Sequence, residues 1–340
     1  MSSGAATAVI TSINLSCKKM LSLCIGIAGR TGMLDHATNW VVFRLAPLLL
    51  DERIIPNRAV PRRLRGLRIR ALCNPYNPFH RSLYWLGKLH ERELDNFLRC
   101  VLRPGDHFVD IGANFGHMSA LAAGLVGSDG SVTAFEPHPD LARMVHEFLR
   151  AEVGHWVTVH PVALGDTPRS VTLRVQGDAL SRSNVGQFGD DETAESHGFM
   201  QAITVPQVRA DGLLNSLPEL GIVVAKIDVE GHEPAVLRGM QEVLRSRVDA
   251  VVVEVTPEWI GGASGVKAMF QQMQELSFEA WMMDSGVREK LWCRCQPADI
   301  AGQTNVLFAK RSMLISRGLL AAEHAKFGPG MSTKKLRVRV

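Results

Sequence analysis

Between residues 88 and 311, segments with the pattern of a buried strand alternate with segments of helical periodicity, and this alternation limits the possible folds more than any other feature. Apolar runs such as DHFVDIG and IVVAKIDVE precede longer amphipathic stretches such as PDLARMVHEFLRAE. Strands that alternate with helices form a mainly parallel α/β sheet that is covered on both faces. Ligands of such sheets bind at the carboxyl ends of the strands, so the functional residues are expected in the turns that follow them.

Two basic segments flank this region. Residues 1–84 are predicted to be a partly structured N-terminal extension, and residues 312–340 a basic C-terminal tail. Six arginines lie between Arg58 and Arg70, where they either contact phosphates or anionic lipid headgroups or line the solvated edge of a hairpin around Gly66. The apolar runs of the extension are too short or too interrupted to cross a bilayer, which predicts a cytoplasmic protein and leaves peripheral membrane contact open.

Charge and cysteine content exclude some classes of protein. The 38 basic and 34 acidic side chains give a net charge of only +4, so no nucleic-acid partner is expected. The six cysteines include no CxxC pair, which predicts reduced thiols rather than a disulfide framework. Nothing in the sequence indicates an oligomeric state.

A glycine turn follows the first strand, in VDIGANFGH. Gly112 and Gly116 would let backbone N–H groups approach a ligand at the start of the next helix. A dinucleotide fingerprint would need glycines at 114 and 117, where Asn114 and His117 stand. With Asp110 just upstream, the turn suits a cofactor that has an aminoacyl group in place of a pyrophosphate, because a carboxylate can reach an ammonium group.

Acidic residues also follow the ends of the next two predicted strands. Glu136, in AFEPHP, is placed to accept both hydroxyls of a ribose, as the acidic residue of dinucleotide folds does. Asp166, in VALGD, could accept from an adenine amino group, although aspartate is also common in such turns for local reasons.

Five segments resemble, in their order and spacing, the strand ends of the FkbM-type methyltransferases, a branch of the class I S-adenosylmethionine-dependent enzymes. These segments are VDIGANFGHMS, FEPHP, VALGD, KIDVEGHE and VVVEVTPE. The resemblance covers about residues 85–311 and implies a methyltransferase domain there, with a doubly wound, mostly parallel, Rossmann-like sheet of seven strands whose last strand is antiparallel. It also implies S-adenosylmethionine as the cofactor and O-methylation as the activity. Carried over by position, the cofactor-lining residues would be Asp110, Gly112, Asn114, Gly116, Glu136 and Asp166.

The stretch AKIDVEGHEPAVLRG, residues 225–239, is the expected acceptor side of the site. Period-two alternation places Lys226, Asp228 and Glu230 on one side of the strand. Asp228 is the predicted acceptor-side carboxylate, and Glu230 and His232 are further catalytic candidates, although a histidine in a polar turn can be merely solvated. Lys226 is expected to pair with one of these carboxylates. Glu233 also suits the N-terminus of a helix for structural reasons alone.

A metal site is an alternative explanation for these carboxylates. Asp228, Glu230 and Glu254 carry the hard oxygen ligands that Mg²⁺ prefers, and Glu254 follows from the next strand. The prediction adopted is a site without a metal.

The polar loop at 177–198 is too long for a simple connection and could act as a lid over the substrate. Its best substrate-contact candidates are Arg182, Ser183 and Asn184. The alternative is a surface insertion without a role.

The leading functional hypothesis is an S-adenosylmethionine-dependent methyltransferase that modifies a hydroxyl of a sugar, glycan or secondary metabolite. Two alternatives remain open at this point. One is a nicotinamide-dependent oxidoreductase, and the other is a non-catalytic protein that binds a membrane or a partner through residues 58–70.

Overall fold

The computed structural model describes residues 58–74, 77–175, 183–185, 201–284, 291–320 and 335–337. By its internal contacts the chain divides into two units, Met1–Arg92 and Glu93–Val340. The domain boundaries predicted at residues 84 and 311 stay a prediction. Among the described residues, no helix is both long and apolar enough to cross a membrane.

In the first unit, the arginine-rich segment forms a hairpin. Strand β1 (Val60–Arg63) pairs with β2 (Arg70–Cys73) in antiparallel register, and the connection passes through Gly66 at a φ of 79°. A 3-10 turn (Pro78–His80) and helix α1 (Arg81–Leu86) follow. The guanidinium of Arg62 lies 4.1 Å from the centre of the Tyr84 ring. The hairpin that the alternating sequence predicted is confirmed, whereas contact of its arginines with lipid stays a prediction.

The second unit contains the predicted alternation of helices and strands. Its strands, in chain order, are β3 (His107–Ile111), β4 (Ser131–Phe135), β5 (Val157–His160), β6 (Ala163–Leu164), β7 (Arg169–Val175), β8 (Ser183–Val185), β9 (Gln201–Val208), β10 (Val223–Ile227), β11 (Ala250–Val255), β12 (Phe278–Asp284), β13 (Leu291–Arg294), β14 (Thr304–Lys310) and β15 (Lys335–Arg337). The helices are α2 (Arg92–Val101), α3 (His117–Val126), α4 (Pro139–Glu152), α5 (Ala210–Leu214), α6 (Glu233–Gly239), α7 (Gln241–Ser246), α8 (Gly262–Glu275) and α9 (Arg311–Ser316). Two further 3-10 turns lie at Pro257–Trp259 and Pro297–Asp299.

The large sheet has the strand order β15-β13-β12-β14-β11-β10-β3-β4-β5. The pairings from β11 through β10, β3 and β4 to β5 are parallel, and β14 is antiparallel to both of its neighbours. The doubly wound sheet with an antiparallel last strand is therefore confirmed. Among the described residues, β13 and β15 extend the seven expected strands to nine, both by antiparallel pairing at the β12 edge.

Helices cover both faces of this sheet. Every residue of β3 and β10 is buried, although successive side chains point to opposite faces. One face carries Val109 and Ile227, which pack in a core with residues of α6, α7 and α8. The other face carries Asp110, which receives a hydrogen bond from Ser119 of α3. Because both faces of the sheet are covered, a ligand is expected to bind at the carboxyl ends of the strands.

A second, four-stranded sheet with the order β6-β9-β7-β8 follows directly from β5. Its own apolar cluster contains Ala163, Val171, Leu173, Val175 and Val205. Its strands β7 and β9 lie in sequence on either side of the polar loop at 177–198.

The beginning of the basic tail is packed into the second unit. Met313 and Leu314 of α9 are buried, and Nη2 of Arg317 lies 2.6 and 2.7 Å from the two carboxylate oxygens of Asp106. Asp106 also accepts hydrogen bonds from the backbone N–H groups of Arg103 and Ile222. A buried ion pair with this many hydrogen bonds fixes residues 311–317 to the sheet.

Candidate active site

The turn after β3 is pressed against the end of β10. Gly112 has a φ of 80°, and a Cβ added to it would lie 1.8 Å from the backbone carbonyl oxygen of Asp228. The N–H groups of Gly112 and Ala113 both donate to the carbonyl of Phe135 at 3.0 Å, and that of Asp228 donates to Ile111 at 3.0 Å. Only glycine fits here, so the sequence of the turn brings the ends of three neighbouring strands together.

Glu136 connects this turn to the start of α4. Its Oε2 accepts from the N–H of Asn114 at 2.8 Å, and its Oε1 accepts from the N–H of His138 at 2.9 Å. Burial raises the pKa of Glu136 to about 7, although these hydrogen bonds oppose the shift. Asn114 itself has a left-handed backbone, with a φ of 52°. The carboxylate is thus held in one orientation at the carboxyl edge of the sheet.

Asp110 and Lys226 lie side by side within the sheet, because they are register partners on β3 and β10. Lys226 is 5% exposed and donates to Oδ2 of Asp228 at 2.9 Å. The predicted pairing of Lys226 with a carboxylate is therefore confirmed. Asp110 is fully buried and accepts from the Ser119 hydroxyl at 2.5 Å through Oδ2. Its Oδ1 is buried and has no hydrogen-bond partner among the described residues. Burial raises the pKa of Asp110, and the charge of Lys226 opposes this shift.

The turn between β10 and α6 is held by Glu233. Its Oε1 accepts from the N–H groups of Val229 and Gly231, at 3.1 and 3.0 Å. Burial raises the pKa of Glu233 to about 7. Glu230, inside the turn, has a left-handed backbone with a φ of 53°. Non-glycine residues adopt this conformation at a cost, and such strain concentrates at functional sites.

His232 is the N-cap residue of α6 and is hydrogen-bonded to the small sheet. Its Nε2 lies 2.9 Å from Oε1 of Gln207 on β9. Burial lowers the pKa of His232, and the charges of Arg169 and Arg238 act in the same direction, whereas that of Asp166 opposes them. The histidine is therefore not a freely solvated turn residue, and its uncharged form is favoured.

These turns line a cleft at the carboxyl ends of the strands. Apolar side chains of β3, β4, β6 and β7 line it together with polar residues from the turns. The predicted site residues among its lining are Gly112, Asn114, Glu136, Asp228, Glu230 and His232. The structure therefore brings the predicted catalytic residues and half of the predicted cofactor residues to one cleft.

Three predicted cofactor residues do not line the cleft. Asp110 is buried behind the turn, and Gly116 packs its backbone against Val145 of α4. Oδ2 of Asp166 lies 2.8 Å from both Nε and Nη2 of Arg238, and this hydrogen bonding lowers the pKa of Asp166. Cofactor contacts of these three residues stay predictions.

The predicted substrate contacts fall largely outside the described residues. Arg182 is not among them, and Ser183 and Asn184 are described only as backbone of β8, opposite Val175 and Arg174. Their roles, and that of the 177–198 loop as a lid, stay predictions.

The metal site considered for Asp228, Glu230 and Glu254 stays an untested alternative. No group of three or more His, Cys, Asp or Glu side chains in the described part of the chain could hold a metal ion. Burial raises the pKa of Glu254, as do the charges of Asp228 and, to a smaller extent, Glu230, while a hydrogen bond from Gln303 opposes this shift. Glu254 and Asp228 therefore interact electrostatically.

The residues present fit S-adenosylmethionine better than a dinucleotide. Glu136, Asp228 and Glu230 bring carboxyl groups to the lining of the cleft, and these suit the ammonium and sulfonium groups of S-adenosylmethionine. The unpartnered Oδ1 of Asp110 leaves one more buried acceptor close to the glycine turn.

Two contacts at the cleft could not be predicted from the sequence. Gln207 lies outside every motif, and nothing local to it indicates that it binds His232. Glu233 was expected at a helix start, but its capping of the Val229 and Gly231 N–H groups could be found only from the folded turn.

The family described as "Methyltransferase FkbM domain" matches residues 110–280, half of the chain. Hexuronic acid methyltransferase AglP of Haloferax volcanii is 28% identical over 167 residues, which cover 48% of this chain and 62% of that protein. The chain therefore matches less than two thirds of the length of this curated relative.

Among solved structures, the methyltransferase FkbM of Methylobacillus flagellatus matches with a TM-score of 0.38 and 14% identity, covering 64% of this chain and 51% of that one. An S-adenosylmethionine-dependent O-methyltransferase of Thermotoga maritima matches with a TM-score of 0.31 and 16% identity, covering 64% and 63%.

Proposed function

The chain belongs to the FkbM methyltransferase family, and we propose that it transfers a methyl group from S-adenosylmethionine to an oxygen atom of a sugar or glycan. The observation that carries this proposal is that the glycine turn, Glu136 and Asp228 line the same cleft. The name of its hexuronic acid methyltransferase relative supports a sugar as the acceptor.

Gly112, Asn114 and Glu136 would hold the cofactor, with Glu136 accepting from its ribose hydroxyls. When bound, S-adenosylmethionine supplies an electrophilic methyl group on a sulfonium. Asp228, oriented by Lys226, and His232 would face the acceptor oxygen, which loses its proton to a base as it gains the methyl group. Alignment of the two reactants can contribute on the order of 7 to 11 kcal/mol, and a general base contributes a factor of about 10² to 10⁴.

The first test is whether the purified chain carries the cofactor and transfers its methyl group. Mass spectrometry of the purified protein is expected to detect S-adenosylmethionine or S-adenosylhomocysteine. Incubation with methyl-labelled cofactor should then label members of a panel of sugars and short glycans. A fluorescence titration with reduced nicotinamide dinucleotide should give no binding, and saturable binding there would contradict the proposal.

An acidic sugar is the acceptor class that the surroundings of His232 favour. The charges of Arg169 on β7 and Arg238 on α6 both act on His232. Arg238 is paired with Asp166, whereas Arg169 is exposed at the start of its strand. An exposed guanidinium whose charge acts on His232 can bind the carboxylate of a uronic acid.

Replacing Arg169 with alanine is therefore expected to raise KM for a glucuronic-acid-terminated acceptor about tenfold, the loss of one charge-assisted hydrogen bond. Steady-state methyl-transfer assays would also compare the matching glucose-terminated acceptor, whose KM should not change. Arg150→Ala removes the same charge from the exposed face of α4 and serves as the control. An equal rise in KM for both acceptors would contradict carboxylate recognition.

A further inference from the structure

Gln207 is a buried polar residue that joins the small sheet to the cleft. It is 1% exposed, and its Nε2 donates to the backbone carbonyl of Thr167 at 2.8 Å. A Cβ on Gly165 would come within 2.4 Å of the Gln207 side chain, so the glycine at this position makes room for the amide. Burial of an amide with a glycine next to it indicates a defined orientation for the side chain.

The two hydrogen bonds of Gln207 determine which nitrogen of His232 carries the proton. The carbonyl of Thr167 can only accept, so the amide nitrogen of Gln207 must face it, and Oε1 must face His232. An amide oxygen can only accept as well. His232 Nε2 must therefore carry a hydrogen, and in the uncharged ring Nδ1 holds the lone pair.

His232 Nδ1 is the nitrogen available for chemistry. It makes no hydrogen bond to any residue in the described ranges. His232 lines the same cleft as the carboxylate-bearing residues Asp228 and Glu230. A lone pair on a ring that lines the cleft can accept a proton from a hydroxyl group bound there.

We propose that Gln207 is a positioning residue that holds His232 in the Nε2–H tautomer and thereby presents Nδ1 as the base toward the acceptor. This rests on the proposed function. In serine-protease triads, a carboxylate accepts a hydrogen bond from the catalytic imidazole and so fixes its tautomer and orientation. Here the neutral amide of Gln207 takes the place of that carboxylate. A neutral partner stabilises the charged ring less than a carboxylate would, so the imidazole is more readily uncharged at rest.

The charged groups around His232 are consistent with an uncharged ring. Asp166 lies in the turn after β6, Arg169 at the start of β7 and Arg238 on α6, and the two arginines oppose the aspartate. Asp166 forms an ion pair with Arg238, so the hydrogen-bond acceptor for Nε2–H is Gln207 and not this carboxylate.

The tautomer can be measured without any assay of methyl transfer. In the full-length protein labelled with ¹⁵N-histidine, the signals that disappear in His232→Gln belong to this ring. Above its pKa they are expected to show a protonated Nε2 and an unprotonated Nδ1, and Gln207→Leu should convert them to a mixture of tautomers. A protonated Nδ1 in the wild type, or an unchanged tautomer in Gln207→Leu, would overturn the proposal even if methyl transfer is confirmed.

Kinetics then separate positioning from a merely structural role. Gln207→Leu is expected to lower kcat about tenfold with little change in KM for the cofactor. Gln207→Glu keeps an acceptor for Nε2–H, so it should recover part of kcat, and its pH–rate profile should move to higher pH because the added negative charge stabilises the protonated ring.

Gln271→Leu, on the exposed face of α8, is the matched control. Equal losses in both Gln207 variants with no shift of the profile would contradict the proposal. Normal tautomer signals without any methyl transfer would contradict the proposed function instead.

Discussion

Replacing Glu136 with glutamine is expected to weaken binding of S-adenosylhomocysteine about a hundredfold. Each carboxylate oxygen accepts one backbone N–H and keeps a second lone pair for a ribose hydroxyl. Glutamine turns one of these oxygens into an NH2 group, which cannot accept, and leaves the other as a neutral acceptor. Hydrogen bonds to a charged group are worth about 1.5 to 3 kcal/mol and those to a neutral group about 0.5 to 1.5 kcal/mol, so the loss of one and the weakening of the other correspond to about two orders of magnitude in Kd. Isothermal titration calorimetry of the two proteins at pH 8 measures this difference.

The pH dependence of binding identifies the carboxylate as the cause. Burial raises the pKa of Glu136 to about 7, so the ionised acceptor form is lost as the pH falls through that value. Wild-type binding should weaken from pH 8 to pH 6, and the Glu136→Gln variant should show no such change. Glu147→Gln makes the same substitution on the exposed face of α4 and should bind normally. Wild-type affinity in Glu136→Gln at pH 8 would refute this role, provided that its thermal unfolding is unchanged.

The sequence predicted the architecture of the sheet and the residues at its carboxyl edge because both depend on local patterns. Continuous apolar runs separated by amphipathic helices imply a parallel sheet, and in such a sheet the ends of neighbouring strands meet. Gly112, Glu136 and Asp228 follow three of these strands and line one cleft. Strand alternation likewise predicted that Lys226 and Asp228 share a side, which their 2.9 Å contact confirms.

Contacts between distant segments could not be predicted in this way. Gln207 meets His232 because the pairing of β9 with β6 and β7 sets its position, and that register has no local signal. The ion pair between Asp166 and Arg238 likewise joins residues far apart in the chain. Strand β15 lies in the predicted tail, where three residues are too few to show a period and only the pairing with β13 makes them a strand.

The close approach of the Gly112 turn to Asp228 makes this glycine the most sensitive backbone position of the site. Gly112→Ala is expected to lower the free energy of unfolding by about 2 to 5 kcal/mol. A left-handed backbone costs a side chain about 1 to 2 kcal/mol, and forcing atoms into a packed region costs about 1 to 3 kcal/mol more. The second cost applies because the new Cβ would lie 1.8 Å from the Asp228 carbonyl oxygen. Urea unfolding monitored by circular dichroism measures the change.

Gly105→Ala separates the two costs. Gly105 has a φ of 90° but no atom within 4 Å of an added Cβ, so this variant should lose only the conformational part, about 1 to 2 kcal/mol. The protein can relieve the clash in Gly112→Ala only by moving the end of β10 away from the turn. Asp228 and its bond to Lys226 would move with it, so this variant should also lose methyl transfer, whereas Gly105→Ala should keep it. Equal unfolding free energies for the two variants would show that the turn tolerates a side chain and that the strand ends are not held together by this contact.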